Sequence, residues 1–367
     1  MKQLFKYFLY LGVAGFGGPL MLIQQMREHY VDDLKELTGK EFDQAFTLIK
    51  AMPGPIAFQM AVFLGNRLYK SLGGLVAGFA LLLPSFIMMV TVAYFYASFV
   101  NVSFIHPVLD GFLFSVSAVI LISLKSLVIN NYKFIIFIPL VLLNMFLCWK
   151  QILPEPLLIV GFGLLAVFIN QKVNRLRLFS AAFLLVDWQT VYDLFKLGLV
   201  SGAVVFGTGL ALIPVLKTNL VDIHHWLSLK EFNDGVIFGQ MTPGPITITG
   251  AFLGYRISGF MGSLGMMFGI FLMPFFHMMT WFPYAIKWLG GQKWINNFLV
   301  GATSAVVGSI LVTIINMNAE SYNKIMFWVL FLANFAILIL KPKTSILLLI
   351  VISGLLNLLF FTAMNSI

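Results

Sequence analysis

The chain of 367 residues carries 23 Lys and Arg against 14 Asp and Glu, a formal net charge of +9, yet only 10% of it is charged and 60% is hydrophobic. A mean hydropathy of +0.96 excludes a water-soluble domain. Basic residues scattered singly between apolar runs exclude a nucleic-acid-binding stripe, and the single cysteine, Cys148, excludes an intrachain disulfide and reads as a packing residue.

Lys2 and Lys6 precede an apolar stretch that lacks a small-residue cleavage pattern, so residue 1 onward reads as the mature chain. Residues 5–26 are long enough to span a bilayer but are interrupted by Phe16-Gly17-Gly18-Pro19, and residues 27–40 are polar. Thr38-Gly39-Lys40-Glu41 opens the next helix as a capping box. That helix runs into Ala51-Met52-Pro53-Gly54-Pro55-Ile56, where each proline lacks an N–H and forces the residue before it to be extended. A helix therefore ends near Ala51 and another starts at Pro55. The two flanking helices, roughly 20 and 22 Å long, fall short of the ~30 Å apolar core and read as a re-entrant hairpin. Spans follow at 72–98, 106–129, 133–149 and 155–170, then a linker at 171–189 with Lys172, Arg175 and Arg177.

The second half repeats the plan. A span runs to Leu216, a polar loop follows, and a hairpin from Ser228 to Arg256 has Thr242-Pro243-Gly244-Pro245-Ile246 at its tip. Spans come next at 260–283, 294–317, 325–340 and 344–363. A shift of 190 residues pairs Phe16-Gly17 with Phe206-Gly207, Thr38 with Ser228, Lys40-Glu41-Phe42 with Lys230-Glu231-Phe232, and Gly111 with Gly301. Two homologous units are expected, 1–178 and 179–367. The fold predicted is an all-α polytopic membrane protein of about ten spanning helices plus two re-entrant hairpins with Pro-Gly-Pro tips. Five spans per half make it an inverted repeat. The more basic side, with Arg27, Lys35, Lys40, Arg67, Lys70, Lys133 and the linker's Lys172, Arg175 and Arg177, is the cytoplasmic one, which leaves both termini outside.

Unwound backbone at membrane depth is tolerated where it lines a cavity, so the paired tips point to a binding site near the midplane. Ile56, Ala57 and Phe58, and Ile246, Thr247 and Ile248, supply first-turn N–H groups to an anion there. The plainer reading is a pair of proline kinks. Gly17, Gly18 and Pro19 act likewise, with Gly207 and Thr208 in the second copy, or else serve close helix packing. Lys50 and its repeat mate Gln240 face the site, unless Lys50 snorkels or pairs with Asp43. Arg67 and Arg256 match an oxyanion with parallel donors or are interfacial anchors. Thr242, Thr247 and Thr249 add hydroxyls, which could equally bond back to their own helix. Glu41 and Glu231 read as capping residues rather than a proton-coupling pair. His29, His224 and His225 fall in loops and His277 stands alone, so no metal site is expected. Neither a phosphate-binding loop nor a His-Glu-x-x-His or Gly-x-Ser-x-Gly motif is present, so no cofactor, ATP use or enzymatic activity is expected.

Phe-Gly-Gly-Pro in the first span, Ala51-Met-Pro-Gly-Pro with Gly65-Asn-Arg67 downstream, and Gly239-Gln-Met-Thr-Pro-Gly-Pro with Gly254-Tyr-Arg256 resemble the chromate ion transporter family over essentially the whole chain. The resemblance implies a bacterial or archaeal multi-pass inner-membrane transporter of two homologous halves, associated with chromate efflux and resistance, with sulfate as the analogous oxyanion. The chain departs from the family pattern at Lys50, where Gln is expected, and at Thr208, where Gly is expected. The expected partners are a chromate- or sulfate-like oxyanion, the lipid bilayer, a coupling proton and a second copy of the chain in a homodimer. The alternatives are a carrier of another inorganic or carboxylate anion on the same scaffold, or an anion channel.

Overall fold

A computed structural model of the protein describes residues 1–15, 19–50, 52–131, 136–170, 189–204, 209–280, 282, 293–342 and 344–365. The expected unit boundary at 178/179 and the linker core lie outside the described residues. The first half holds α1 (Lys2–Ala14), α2 (Pro19–Arg27), α3 (Gly39–Lys50), α4 (Ile56–Phe99), α5 (Ile105–Asn131), α6 (Phe137–Trp149) and α7 (Glu155–Asn170). The second holds α8 (Gln189–Val204), α9 (Leu212–Lys217), α10 (Leu229–Met241), α11 (Thr249–Met279), α12 (Lys293–Met317), α13 (Ile325–Leu340) and α14 (Ile346–Asn365).

The chain is all-helical among the described residues, and five stretches are long and apolar enough to cross a membrane: Ile56–Phe99, Ile105–Ile129, Ile246–Met279, Asn297–Met317 and Ile346–Asn365. Phe137–Trp149, Glu155–Val167 and Ile325–Leu340 are apolar but shorter. At 1.5 Å per residue such helices cover about 20–24 Å, less than the ~30 Å core. Large apolar side chains such as Leu72, Phe79, Phe95, Leu340 and Leu359 stand exposed on the outer surface, which only lipid accommodates without cost.

The repeat reaches into backbone detail. A π-helical turn at Glu28–Asp33 recurs at Thr218–Ile223, each followed by a left-handed residue, Lys35 (φ 53°) and His225 (φ 52°). Inside α4 the chain breaks at Tyr69 and Lys70 (φ 58°, ψ −156°), and inside α11 at Ser258 and Gly259 (φ 58°, ψ −154°). These are reversals rather than bends, because a Cβ added at Gly65 would lie 2.2 Å from the carbonyl oxygen of Gly73, and one at Gly254 2.4 Å from that of Gly262. Residues 56–68 thus lie back along the start of the 71–99 segment, with glycine on both sides of the contact.

The halves are interlocked. α1 packs on α4 and α8 on α11, and α4 and α11 pack on each other. α5 packs mainly on α13 and α14 of the other half, however, and α12 mainly on α6 and α7.

Candidate functional site

The first tip forms where the sequence breaks the helix. α3 ends at Lys50, the Met52 N–H donates to the Ile49 carbonyl (3.1 Å), Gly54 takes φ 124°, and Pro55 is extended (φ −66°, ψ 114°) before α4 starts at Ile56. The Pro53 carbonyl accepts from Gln59 Nε2 at 2.6 Å and from the His277 imidazole of the second half. A Cβ on Gly54 would lie 2.8 Å from Pro274 Cβ, so this tip sits against the proline of α11. Gln59 is fully buried, and its Oε1 has no partner among the described residues.

The second tip mirrors this. α10 ends at Met241, Thr242 is extended with its hydroxyl bonded back to the Phe238 carbonyl (2.7 Å), Gly244 takes φ 98°, and Pro245 is extended. Ser85 of α4, beside Pro84, donates to the Pro243 carbonyl at 2.6 Å, and the Gly244 N–H donates to the Gly15 carbonyl at 3.2 Å. Each tip is therefore seated on the proline-bearing helix of the opposite half. The start of the next helix differs from the expectation: Ile246–Ile248 is a 3₁₀ turn, in which the Ile248 N–H is satisfied by the Pro245 carbonyl (3.0 Å). That leaves Ile246 and Thr247 as the free first-turn donors of this tip. The Thr247 hydroxyl is buried without a partner among the described residues, whereas Thr249 bonds back to the Ile246 carbonyl at 2.8 Å.

A cavity of about 470 Å³ opens at this second tip. Gln240, Thr242, Gly244 and Ile246 bound it on one side, Gly15 and Pro19 on another, and Ser123 of α5 and Ser345 before α14 close it. None of the described residues that line it carries a charge. Its wall is mostly apolar; Gln240, Thr242, Ser123, Thr344 and Ser345 are its polar side chains, and with the helix start at Ile246 they can hold an anion through oriented dipoles rather than through a counter-charge.

The cations expected at the site lie elsewhere. Arg67 Nε is 2.6 Å from Glu41 Oε1, and Arg256 Nη2 is 2.9 Å from Glu231 Oε1. Each arginine, about 17 Å of helix beyond its Pro-Gly-Pro break, is thereby tied to the first turn of the helix that precedes that break. The Ser228–Glu231 capping box is complete, while at Thr38 only the Glu41 N–H to Thr38 Oγ1 bond (3.2 Å) is kept, the Glu41 carboxylate turning to Arg67. Glu231, at the helix start outside the spanning segments, has its carboxyl held below the usual carboxylate range by hydrogen bonds from Arg256 and Ser228 that outweigh burial. Lys50 is exposed, its Nζ 4.0 Å from the centre of the Phe46 ring, and Asp43 pairs with Arg27 instead (3.5 Å). Gly17, Gly18, Gly207 and Thr208 lie outside the described residues, though flanking Gly15 and Pro19 both reach the cavity. Reading the sequence missed Ser85, Gln59 and His277 as tip partners. The one available signal was Pro84 recurring as Pro274 at the shift of 190.

The sequence profile described as Chromate transporter matches twice, over residues 2–168 and 192–358. The chain is 30% identical over 361 residues to the chromate transport protein of Cupriavidus metallidurans, covering 94% of this chain and 89% of that one. It is 30% identical over 340 residues to a probable chromate transport protein of Synechococcus elongatus, covering 85% and 84%. It is 26% identical over 344 residues to the chromate transport protein of Pseudomonas aeruginosa, covering 86% and 80%. No solved structure matches the chain significantly.

Proposed function

The chain belongs to the chromate transporter family and is a multi-pass membrane ion transporter; from that premise we propose that it is a secondary carrier of a tetrahedral oxyanion, working chiefly in chromate efflux, with sulfate as the competing analogue. The observation that carries this reading is the uncharged cavity at the second Pro-Gly-Pro tip, whose few polar groups gather where the helix restarts. There the anion is bound at the Ile246 helix start with Gln240 and Thr242, beside the Phe16–Pro19 break, with the buried Thr247 behind the cavity wall. The first tip, Pro53-Gly54-Pro55-Ile56, supplies the matching helix start from the other half, and Lys50 raises the positive potential around the path, whereas Arg67 and Arg256, neutralised by Glu41 and Glu231, brace the helices on either side of each tip. The halves form an inverted repeat of two re-entrant hairpins that alternate access across an inner membrane, coupled to a proton, in a chain that pairs as a homodimer.

A dianion gains about 4.6 kcal/mol per 100 mV on leaving a negative interior, so efflux needs no other drive, whereas uptake needs a co-ion. The test is labelled chromate flux into proteoliposomes under an imposed potential, with and without excess sulfate. Saturable flux that sulfate blocks is expected. Flux linear in chromate and indifferent to sulfate would indicate a channel, and absence of flux from folded protein would refute the oxyanion reading.

A further inference from the structure

Among the described residues, two carboxylates are buried below a tenth of their surface, Glu155 and Asp234. Glu155 bonds Thr218 near the Lys217–Asp222 pair, at the start of α7. Asp234 lies deeper, 3% exposed, one turn into α10, and its Oδ2 accepts a 2.6 Å hydrogen bond from the hydroxyl of Tyr96, itself 2% exposed, near the end of α4. This bond crosses from one half to the other.

Among the described residues, the charges around Asp234 are already paired, Lys230 excepted. On its own helix, Glu231 is paired with Arg256 of α11, and Lys230 meets the ring of His106. On α5, Asp110 is paired with Lys324 (2.6 Å). The Arg256 guanidinium lies over the Tyr96 ring, 4.9 Å from its centre, but donates to Glu231 rather than to Asp234. Asp234 thus has a neutral phenol for its hydrogen-bond partner and no ion pair among the described residues, the Lys230 ammonium acting on it only through space. A carboxylate so placed gains from carrying a proton while it is dry and from releasing it when water reaches it. Ionisable groups within a membrane protein are seldom kept without such use.

Its position links that exchange to the anion. Six residues beyond Asp234 the same helix delivers Gln240 to the cavity wall, with Thr242 just past its end, and the Tyr96 ring packs on Phe252 of α11 (5.4 Å). The repeat mate of Asp234 is Gln44, which cannot titrate, so the two repeats do not hold a symmetric pair at this position. We propose that Asp234, held by Tyr96 across the two halves, binds and releases the proton that accompanies oxyanion transport, taking it from water on one side of the membrane and giving it up on the other. The inference rests on the oxyanion-carrier reading above.

Proteoliposomes containing an internal pH dye test it with two readouts: exchange of labelled for unlabelled chromate at equal pH, and proton movement during net chromate flux. Wild-type protein is expected to show both. D234N, whose amide mimics the protonated carboxyl, is expected to keep exchange and lose proton movement by about tenfold or more. Y96F withdraws the donor that favours the ionised carboxylate, so it is expected to shift the pH profile of net flux to higher pH. D234N that moves protons at the wild-type rate while exchanging chromate overturns this inference alone. Wild-type protein without exchange overturns the carrier reading and this inference with it. If D234N loses exchange as well, Y96F decides: a shifted profile upholds the assignment and an unshifted one overturns it.

Discussion

The seat of the second tip on α4 can be tested by a double-mutant cycle at Gly244 and Ser85. Ser85 is fully buried and donates to the Pro243 carbonyl at 2.6 Å, so S85A strands a buried acceptor, at a cost of about 1–3 kcal/mol. G244A has two costs. A side chain at φ 98° carries backbone strain of about 1–3 kcal/mol. Its Cβ would also lie 2.5 Å from Ser85 Oγ, an overpacking worth about 1–3 kcal/mol more. With the hydroxyl removed, the next atom is Ser85 Cβ at 3.5 Å, an ordinary contact. The double variant should therefore be less destabilised than the sum of the singles by about 1–3 kcal/mol, roughly 5- to 150-fold in the unfolding equilibrium. Denaturant unfolding in mixed micelles followed by tryptophan fluorescence measures it, and chromate counterflow should track the same order. Additivity within about 0.5 kcal/mol would show that the tip does not rest on Ser85 and would undo the proposed coupling of the halves there.

Lys70 occupies a backbone region that is nearly reserved for glycine, and its repeat mate is Gly259 with the same angles. Lys70→Gly should stabilise the protein by about 0.5–2 kcal/mol after the entropic cost of glycine, and Gly259→Ala should destabilise it although nothing lies within 4 Å of the new Cβ. Both are read by the same unfolding assay, and a neutral G259A would contradict the strain. Gly54→Leu, whose Cβ would press on Gln59 (2.7 Å) and Pro274 (2.8 Å), should abolish chromate flux while membrane insertion persists; normal flux would remove the first tip from the path. Lys50→Gln should raise the apparent KM for chromate a few-fold, with kcat unchanged and the effect fading as salt rises. An unchanged KM would assign Lys50 to its contact with Phe46 alone.

The breaks at the two tips were legible because proline restricts both itself and the residue before it, a constraint that acts within three residues and survives any tertiary context. The shift of 190 was legible for the same local reason, and the Ser228 capping box needed only its own four residues. What sits against each tip was not. Ser85 and Pro243 are 158 residues apart, and no periodicity relates them. Each arginine alone reads as an anion ligand or an anchor, because capping already accounts for its partner, Glu41 or Glu231. Yet both members of each ion pair recur at the repeat, and that recurrence could have suggested the link. The 3₁₀ start at Ile246 was invisible because Pro-Ile-Thr and Pro-Ile-Ala carry the same local instructions. The exchange of helices between halves left no trace either, since α5 and α12 are apolar on nearly every side and show no single face to match.

That exchange sets the order in which the protein can be completed in the membrane. α5 is finished by residue 131, but the two helices it packs on most begin only at Ile325, and its start is fixed by a bond from Asn357 Nδ2 to the Pro107 carbonyl (2.7 Å). At ribosomal rates of 5–20 residues per second, α5 waits roughly 10–40 s for its neighbours. During that interval lipid must cover a face that the finished protein hides. A chain released after α12 would keep that face permanently open and leave the Pro107 carbonyl without its donor. The last two helices are therefore the latch of the first half as much as the end of the second.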